Sequence, residues 1–109
     1  MERRKHRRVP AQWKSLLLGN SHEVEGRTLD VSLGGARIES DLDVYPGKPV
    51  VVRLVVPGVE EPVSIEQALV RWTSRKTFGV EFTQVKRKEL DELEQLIEEF
   101  EEYEEGGHA

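Results

Sequence analysis

Hydrophobic and polar residues alternate along most of the chain with the two-residue period of β-strands. The alternation is clearest over residues 28–33 and 77–83, where every second residue is apolar. A β-branched run over residues 49–56 is typical of a strand that is largely buried on both faces. Turn-forming pairs such as Gly-Asn, Gly-Gly and Pro-Gly separate these stretches. The pattern predicts six short antiparallel strands within residues 11–84.

The alternation changes phase within the fifth predicted strand. Val63 and Ile65 occupy one phase, whereas Val70 and Trp72 occupy the other. Because the direction of side chains in a strand repeats every two residues, the change of phase requires one extra residue near Gln67. The sequence therefore predicts a β-bulge at that point.

A helical period replaces the strand period near the C-terminus. Apolar residues recur at spacings of three and four from Leu90 to Tyr103, which predicts an α-helix over residues 86–103 with one apolar stripe. Residues 89–105 carry ten carboxylates and no cation, so the helix opposes its own dipole and should fray before Gly106. The stripe has to cover the strands. We therefore expect a mainly β fold, a small six-stranded antiparallel β-barrel with one C-terminal α-helix.

Composition mainly excludes classes of protein. The chain has 109 residues, which predicts a single domain, and it has no cysteine, so disulfides and thiolate metal sites are excluded. Its three histidines are far apart, and no apolar run approaches the roughly 18 residues of a membrane span. We expect a cytoplasmic protein without a metal, a cofactor or membrane insertion. No nucleophile–base pair or phosphate-binding glycine loop is evident, so we expect no catalytic residues and no enzyme.

Positive and negative charges are concentrated at opposite ends of the chain, whose formal net charge is -5. Five cations stand within residues 3–8, ahead of Val9, the first apolar residue after them. Because like charges repel, we expect residues 1–10 to form a flexible basic arm, followed by the barrel at 11–84 and the acidic helix at 86–103. Such an arm fits either a solvated tail or a segment that binds an anion.

A second polar feature lies at the end of a predicted strand. Thr28, Asp30 and Ser32 share one phase of the alternation, so their side chains should point the same way. Gly34 and Gly35 follow, and glycine permits a positive φ and lets a ligand or another chain approach the backbone closely. Taken alone, the pattern favours an ordinary strand end before a turn over a binding site.

Together the basic arm and this strand end resemble the PilZ domain family. The likeness rests on two arginines separated by three residues, Arg4 and Arg8, and on an Asp-x-Ser-x-x-Gly pattern that begins at Asp30. It extends along the chain to Val-Pro after the arm, to the stretches LVRW and FGVEF, and to the terminal helix. The resemblance implies a bacterial receptor domain for cyclic di-GMP, a second messenger with two guanines and two phosphodiesters.

The resemblance also implies the roles of the motif residues. Arg4 and Arg8 would form bidentate bonds to phosphate oxygens or to guanine O6 and N7. Asp30 would accept hydrogen bonds from guanine N1 and N2, and Ser32 would add another nearby. The two glycines, Gly34 and Gly35, would leave room for the ligand.

Two further positions follow from the resemblance, and a third is assigned without it. Arg3 matches a site where arginine accompanies a self-stacked dimer of the ligand. Trp72 resembles an aromatic residue that lies against the bound nucleotide, although a core position fits it equally well. Trp13 is assigned to the core.

The implied mechanism is a switch. The arm would be disordered without ligand and would close on the ligand about a hinge at Val9 and Pro10, changing a surface that a partner protein reads. Two alternatives remain open: a nucleic-acid-binding barrel with a basic arm, and a protein-interaction module without a small ligand. An aromatic content of 6% is low for a base-stacking platform, so we expect no nucleic-acid partner.

Overall fold

The computed structural model describes residues 8–19 and 22–108, with side chains as far as residue 99. The strands and the helix of these residues follow one another as β1 (Val9–Leu18), β2 (Glu23–Val31), β3 (Gly35–Ser40), β4 (Pro49–Val55), β5 (Val63–Ser74), β6 (Thr77–Gln84) and α1 (Arg87–His108).

The six strands close into a barrel in the order β1-β2-β3-β6-β5-β4, and β4 pairs with β1 to complete it. Every neighbouring pair is antiparallel. The fold predicted from the alternation, a six-stranded antiparallel barrel with one C-terminal helix, is confirmed. Closure explains why the alternation is so regular, because each strand of a closed barrel has one face inside and one outside.

The β-branched strand β4 differs from its prediction. Val50, Val52 and Leu54 are buried inside the barrel, but the residues between them are only half-buried. The expectation of burial on both faces is therefore wrong. Outward β-branched residues such as Val51 fit a pleated, half-covered surface without a second layer of structure above them.

Four of the six strand pairs contain register shifts, and the shift in β1 falls between Pro10 and Trp13. Against β4, Glu66 and Gln67 lie between Ile65 and Ala68 opposite the single residue Val51, which confirms the predicted bulge near Gln67. A second shift in β5 falls at Arg71, and β2 has one at Leu29, between Thr28 and Asp30. Neither of the latter two was predicted, and both alter which side chains reach the outer surface.

Helix α1 contacts β5 and β1 and closes one end of the barrel. Its Leu93 and Ile97 are buried and belong to the same core as the barrel interior. The helix continues through Gly106 to His108, so the predicted end near Tyr103 is wrong. Glycine lowers helix stability by about 1 kcal/mol per residue without making the helical conformation inaccessible.

The junction between the arm and the barrel also differs from its prediction. Val9 is buried and pairs with Val31, and Pro10 pairs with Asp30, so both residues belong to β1. Cross-strand neighbours therefore hold both residues of the predicted hinge in the barrel in this structure. Residues 1–7 of the arm lie outside the described residues.

Candidate ligand-binding groove

The bulge in β2 determines where the Asp30 side chain lies. Thr28 is fully buried opposite Ile38, whereas Asp30, two residues later, pairs with the exposed Arg37. Leu29 is the extra residue between them. Thr28 and Asp30 therefore do not share a face as predicted, because a bulge inserts one residue and reverses the alternation beyond it.

Two arginines share the Asp30 carboxylate. Nη1 of Arg8 donates to Oδ1 at 2.8 Å, and Nε of Arg37 donates to Oδ2 at 2.9 Å. The Asp30 side chain is 17% exposed, while both arginine side chains are about half exposed. Each carboxylate oxygen is thus directed by a charge-assisted hydrogen bond, and one of the two donors, Arg8, comes from the arm.

Ser32 closes the turn that follows β2. Its hydroxyl accepts a hydrogen bond from the backbone N–H of Gly34 at 3.1 Å and donates to the carbonyl oxygen of Gly35 at 3.4 Å. The Ser32 N–H also donates to that carbonyl, at 2.8 Å. Ser32 is almost fully buried and lies beyond the end of β2, so strand alternation does not direct its side chain.

Gly35 is needed for close packing between strands. A Cβ atom at Gly35 would overlap the carbonyl oxygen of Val80 on β6, and Gly35 is absent from the positive-φ glycines, Gly47 and Gly58. Glycine at position 35 therefore allows β6 of the same chain to approach the backbone, whereas the approach of a ligand or another chain stays a prediction. A positive φ is not the reason for glycine there.

Beside this turn lies a shallow groove of about 430 Å³ on the outer surface of β5 and β6. This volume falls within the range of small-molecule sites. Its floor includes Gly79, and a Cβ atom at that position would overlap the indole ring of Trp72. Trp72 therefore lies directly over Gly79. The groove is lined by Arg8, Ser32, Gly34, Arg71, Trp72, Gly79, Val80, Glu81 and Phe82.

The groove collects four of the residues that the sequence singled out, namely Arg8, Ser32, Gly34 and Trp72. Asp30 is next to it, connected through Arg8, and Gly35 lies between the strands. Arg3 and Arg4 lie outside the described residues.

The two tryptophans occupy different environments. Trp72 is 42% exposed, so the core alternative for it is wrong. Its phase predicted an inward side chain beside Val70, but the bulge at Arg71 turns it outward. Trp13 is half-buried and packs against the core from outside it, so its predicted core position is confirmed only in part.

Sequence reasoning missed four residues of this region. Arg37 pairs with Asp30 only because β2 and β3 align them. Arg71 and Glu81 form an ion pair across β5 and β6, and Gly79 lies under the indole of Trp72. Cross-strand pairing creates these contacts, and the local pattern around each residue gives no signal for them.

No group of histidine, aspartate and glutamate side chains suited to a metal ion occurs among the described residues, whose side chains extend to residue 99. Across the same residues, no helix is long and apolar enough to span a membrane.

Several solved structures resemble this fold, and two of them serve as examples. The first is the Bacillus subtilis inhibitor of motility (MotI/DgrA), with a TM-score of 0.69 and 20% identity over 88% of this chain. The second is the PilZ domain of CeSA from a cellulose-synthesizing bacterium, with a TM-score of 0.66 and 22% identity over 86% of this chain. The chain spans 50% of the motility inhibitor and 97% of the CeSA domain. At these identities the likeness concerns the fold.

The sequence itself gives the family. No curated protein sequence matches the chain significantly. The sequence model of the PilZ domain matches residues 2–99, which include both the arginine pair of the arm and the Asp-x-Ser-x-x-Gly turn. The chain therefore belongs to the PilZ domain family.

Proposed function

We propose that this chain is a bacterial cytoplasmic receptor for cyclic di-GMP, that binding changes the conformation of its basic arm, and that the change is relayed to a partner protein. PilZ domains are known cyclic di-GMP receptor domains, and they act as receptors or effectors rather than as enzymes. The observation that carries the proposal is the position of Arg8, which binds Asp30 and also lines the groove.

The Asp30 carboxylate supplies the acceptors that guanine requires. The N1–H and N2–H groups of guanine are adjacent donors, and a carboxylate can accept from both. In this structure Arg8 and Arg37 donate to one oxygen each. We infer that guanine takes the place of Arg8, while Arg37, held on β3, remains with the carboxylate and offsets its charge.

Arg8 then becomes available to the ligand. Its guanidinium can form two parallel hydrogen bonds to a phosphodiester, which a lysine ammonium cannot reproduce. Arg8 therefore exchanges its ion pair with Asp30 for an ion pair with the phosphodiester, while Arg37 stays paired with Asp30. In this proposal Arg4 makes equivalent contacts, and Arg3 favours a second, stacked ligand molecule.

The groove supplies a surface for the second half of the ligand. The exposed indole of Trp72 offers an aromatic face to a base. Base–aromatic stacking contributes roughly 1–3 kcal/mol for each base. The Ser32 turn, with Gly34 at the groove, presents small groups beside that face.

In this proposal the arm is the element whose conformation differs between the free and the ligand-bound protein. Because Val9 is anchored in β1, we place the pivot of the arm at Arg8 rather than at Val9 and Pro10. Loss of the Arg8–Asp30 ion pair on binding would redirect the segment that precedes it. A partner protein can respond only to such a difference between the free and bound states. The ligand is the only small molecule that this scheme requires.

Isothermal titration calorimetry tests the proposal. We expect cyclic di-GMP to bind with a dissociation constant in the micromolar range, about −8 kcal/mol, because ordering the arm offsets part of the contact energy. GMP, with a single guanine and a single phosphate, serves as the control and should bind at least about tenfold more weakly. Absence of heat with cyclic di-GMP, or equal affinity for GMP, contradicts the proposal.

A further inference from the structure

The second bulge in β5 places an arginine beside the tryptophan of the groove. Val70 pairs with Val80 and Trp72 pairs with Gly79, so Arg71 is the residue without a partner in β6. Consecutive residues of a regular strand point to opposite faces, but here Arg71 and Trp72 are both exposed. Bulges commonly redirect a side chain next to a functional site.

Arg71 is held in the groove by a carboxylate. Its Nε donates to Oε1 of Glu81 at 2.6 Å, and its Nη2 contacts the same oxygen. Both side chains are about half exposed, and both line the groove together with Arg8. A guanidinium recognises carboxylate and phosphate oxygens through the same planar set of donors. Glu81 thus occupies the donors that an anionic ligand would use.

Resting on the function proposed above, we infer that Arg71 is a further ligand-binding residue and that Glu81 is an internal competitor that lowers the affinity of the site. On binding, Arg71 exchanges the Glu81 carboxylate for a phosphodiester oxygen of the ligand, with Trp72 against the adjacent base. Glu81, with its negative charge left in the groove, opposes the dianionic ligand.

This inference predicts opposite effects from the two members of one ion pair. Arg71→Ala removes a charge-assisted contact and leaves Glu81 uncompensated, so the affinity should fall by about 10- to 100-fold. Glu81→Gln releases Arg71 and removes the opposing charge, so the affinity should rise by about 3- to 10-fold. The double variant should lie between the two single variants. Arg71→Lys, which keeps the charge but loses the planar fork, should lie between wild type and Arg71→Ala.

A matched ion pair on the same barrel provides the control. Nη2 of Arg27 donates to Oε1 of Glu39 at 2.8 Å across β2 and β3, with exposures similar to those of Arg71 and Glu81. Neither residue lines the groove. Arg27→Ala and Glu39→Gln should change the affinity by less than about twofold, as expected for exposed pairs away from the ligand.

Calorimetric titration of the six variants and the wild-type chain with cyclic di-GMP, with circular dichroism melting curves to check folding, tests the inference. Opposite shifts for Arg71→Ala and Glu81→Gln, with unchanged controls, are the expected result. Wild-type binding that both substitutions leave unchanged, or weaken alike, overturns the role of Arg71 and leaves the receptor function standing. A wild-type chain that does not bind cyclic di-GMP overturns the receptor function, and this inference with it.

Discussion

The helix-covered end of the barrel and the groove face differ in what their side chains contact. At the covered end, Leu93 and Ile97 of α1 are buried in the common core. On the groove face, Trp72 is 42% exposed and lies over the backbone of Gly79. The half-exposed Arg71 and Arg8 form ion pairs with carboxylate side chains there. The first arrangement stabilises the barrel, and the second leaves polar and aromatic groups available to a ligand. Stability and binding should therefore respond to different substitutions.

Leu93→Ala should give the largest effect, and on stability alone. Leu93 is fully buried, so truncation removes apolar contacts and leaves a cavity that costs about 2–5 kcal/mol of unfolding free energy. Urea unfolding monitored by circular dichroism measures this loss. The affinity of the folded fraction for cyclic di-GMP should stay within about twofold of wild type. A large change in that affinity would mean that the two regions are coupled.

Asp30→Ala should give the converse result. It removes the acceptor for guanine and the counter-ion shared by Arg8 and Arg37, so the affinity should fall by about 100-fold, equivalent to about 2.8 kcal/mol. The two exposed guanidinium groups can be solvated, so the unfolding free energy should fall by only about 1 kcal/mol. Calorimetry and urea unfolding measure the two quantities.

Glu39→Ala is the control for Asp30→Ala. Glu39 pairs with Arg27 at 2.8 Å on the same two strands, but its side chain is 47% exposed compared with 17% for Asp30. We expect its affinity for cyclic di-GMP to be unchanged. Equal losses in the two variants would attribute the effect to barrel surface charge and not to the site.

The two tryptophans allow the groove face and the core to be compared with the same type of residue. Trp72→Ala removes a stacking surface and should weaken binding by about 10-fold or more, with little change in stability. Trp13→Ala removes a half-buried side chain that packs against the core, so it should lower the unfolding free energy by about 2 kcal/mol and leave the affinity unchanged. Swapped outcomes, with Trp13 governing binding, would contradict the location of the groove.

The smallest expected effect is that of salt on binding. A small dianionic ligand lacks the condensed counterions of duplex DNA, so its affinity should fall gently between about 50 and 200 mM salt. A five-cation arm on DNA would instead give a slope of about −4 to −5 in log affinity against log salt. Fluorescence anisotropy with labelled duplex DNA measures the alternative directly. Tight DNA binding with that slope, and no binding of cyclic di-GMP, would favour the nucleic-acid function.

The sequence predicted the barrel because one long-range principle, burial of alternate side chains, governs every strand. It also predicted the bulge near Gln67, since the apolar residues on either side of it lie in different phases. The bulges at Leu29 and Arg71 could not be read in the same way. At Leu29 the buried residue before the slip is the polar Thr28, and after Arg71 the outward residue is the apolar Trp72, so polarity does not follow burial at either place.

The sequence predicted those parts of the site whose residues are close together in the chain. The residues of the Ser32 turn lie close together in the sequence, and so do the cations of the arm. A family resemblance recognises such local motifs. Arg37, Arg71 and Glu81 reach the site only through strand pairing. Their roles depend on which residue lies opposite in the neighbouring strand, and register in this barrel is modified by bulges that the alternation does not reveal.

The indole N–H signals of the two tryptophans allow the most direct test of the claim that the groove binds the ligand and the core does not. A ¹⁵N–¹H NMR titration of the wild-type chain with cyclic di-GMP follows both side chains in one sample. We predict that the Trp72 indole signal and the backbone amides of residues 32–35 and 79–82 shift on binding, while the Trp13 indole and the amides of Leu93 and Ile97 stay in place. Shifts confined to α1, or a Trp13 signal that moves while that of Trp72 does not, would contradict the account.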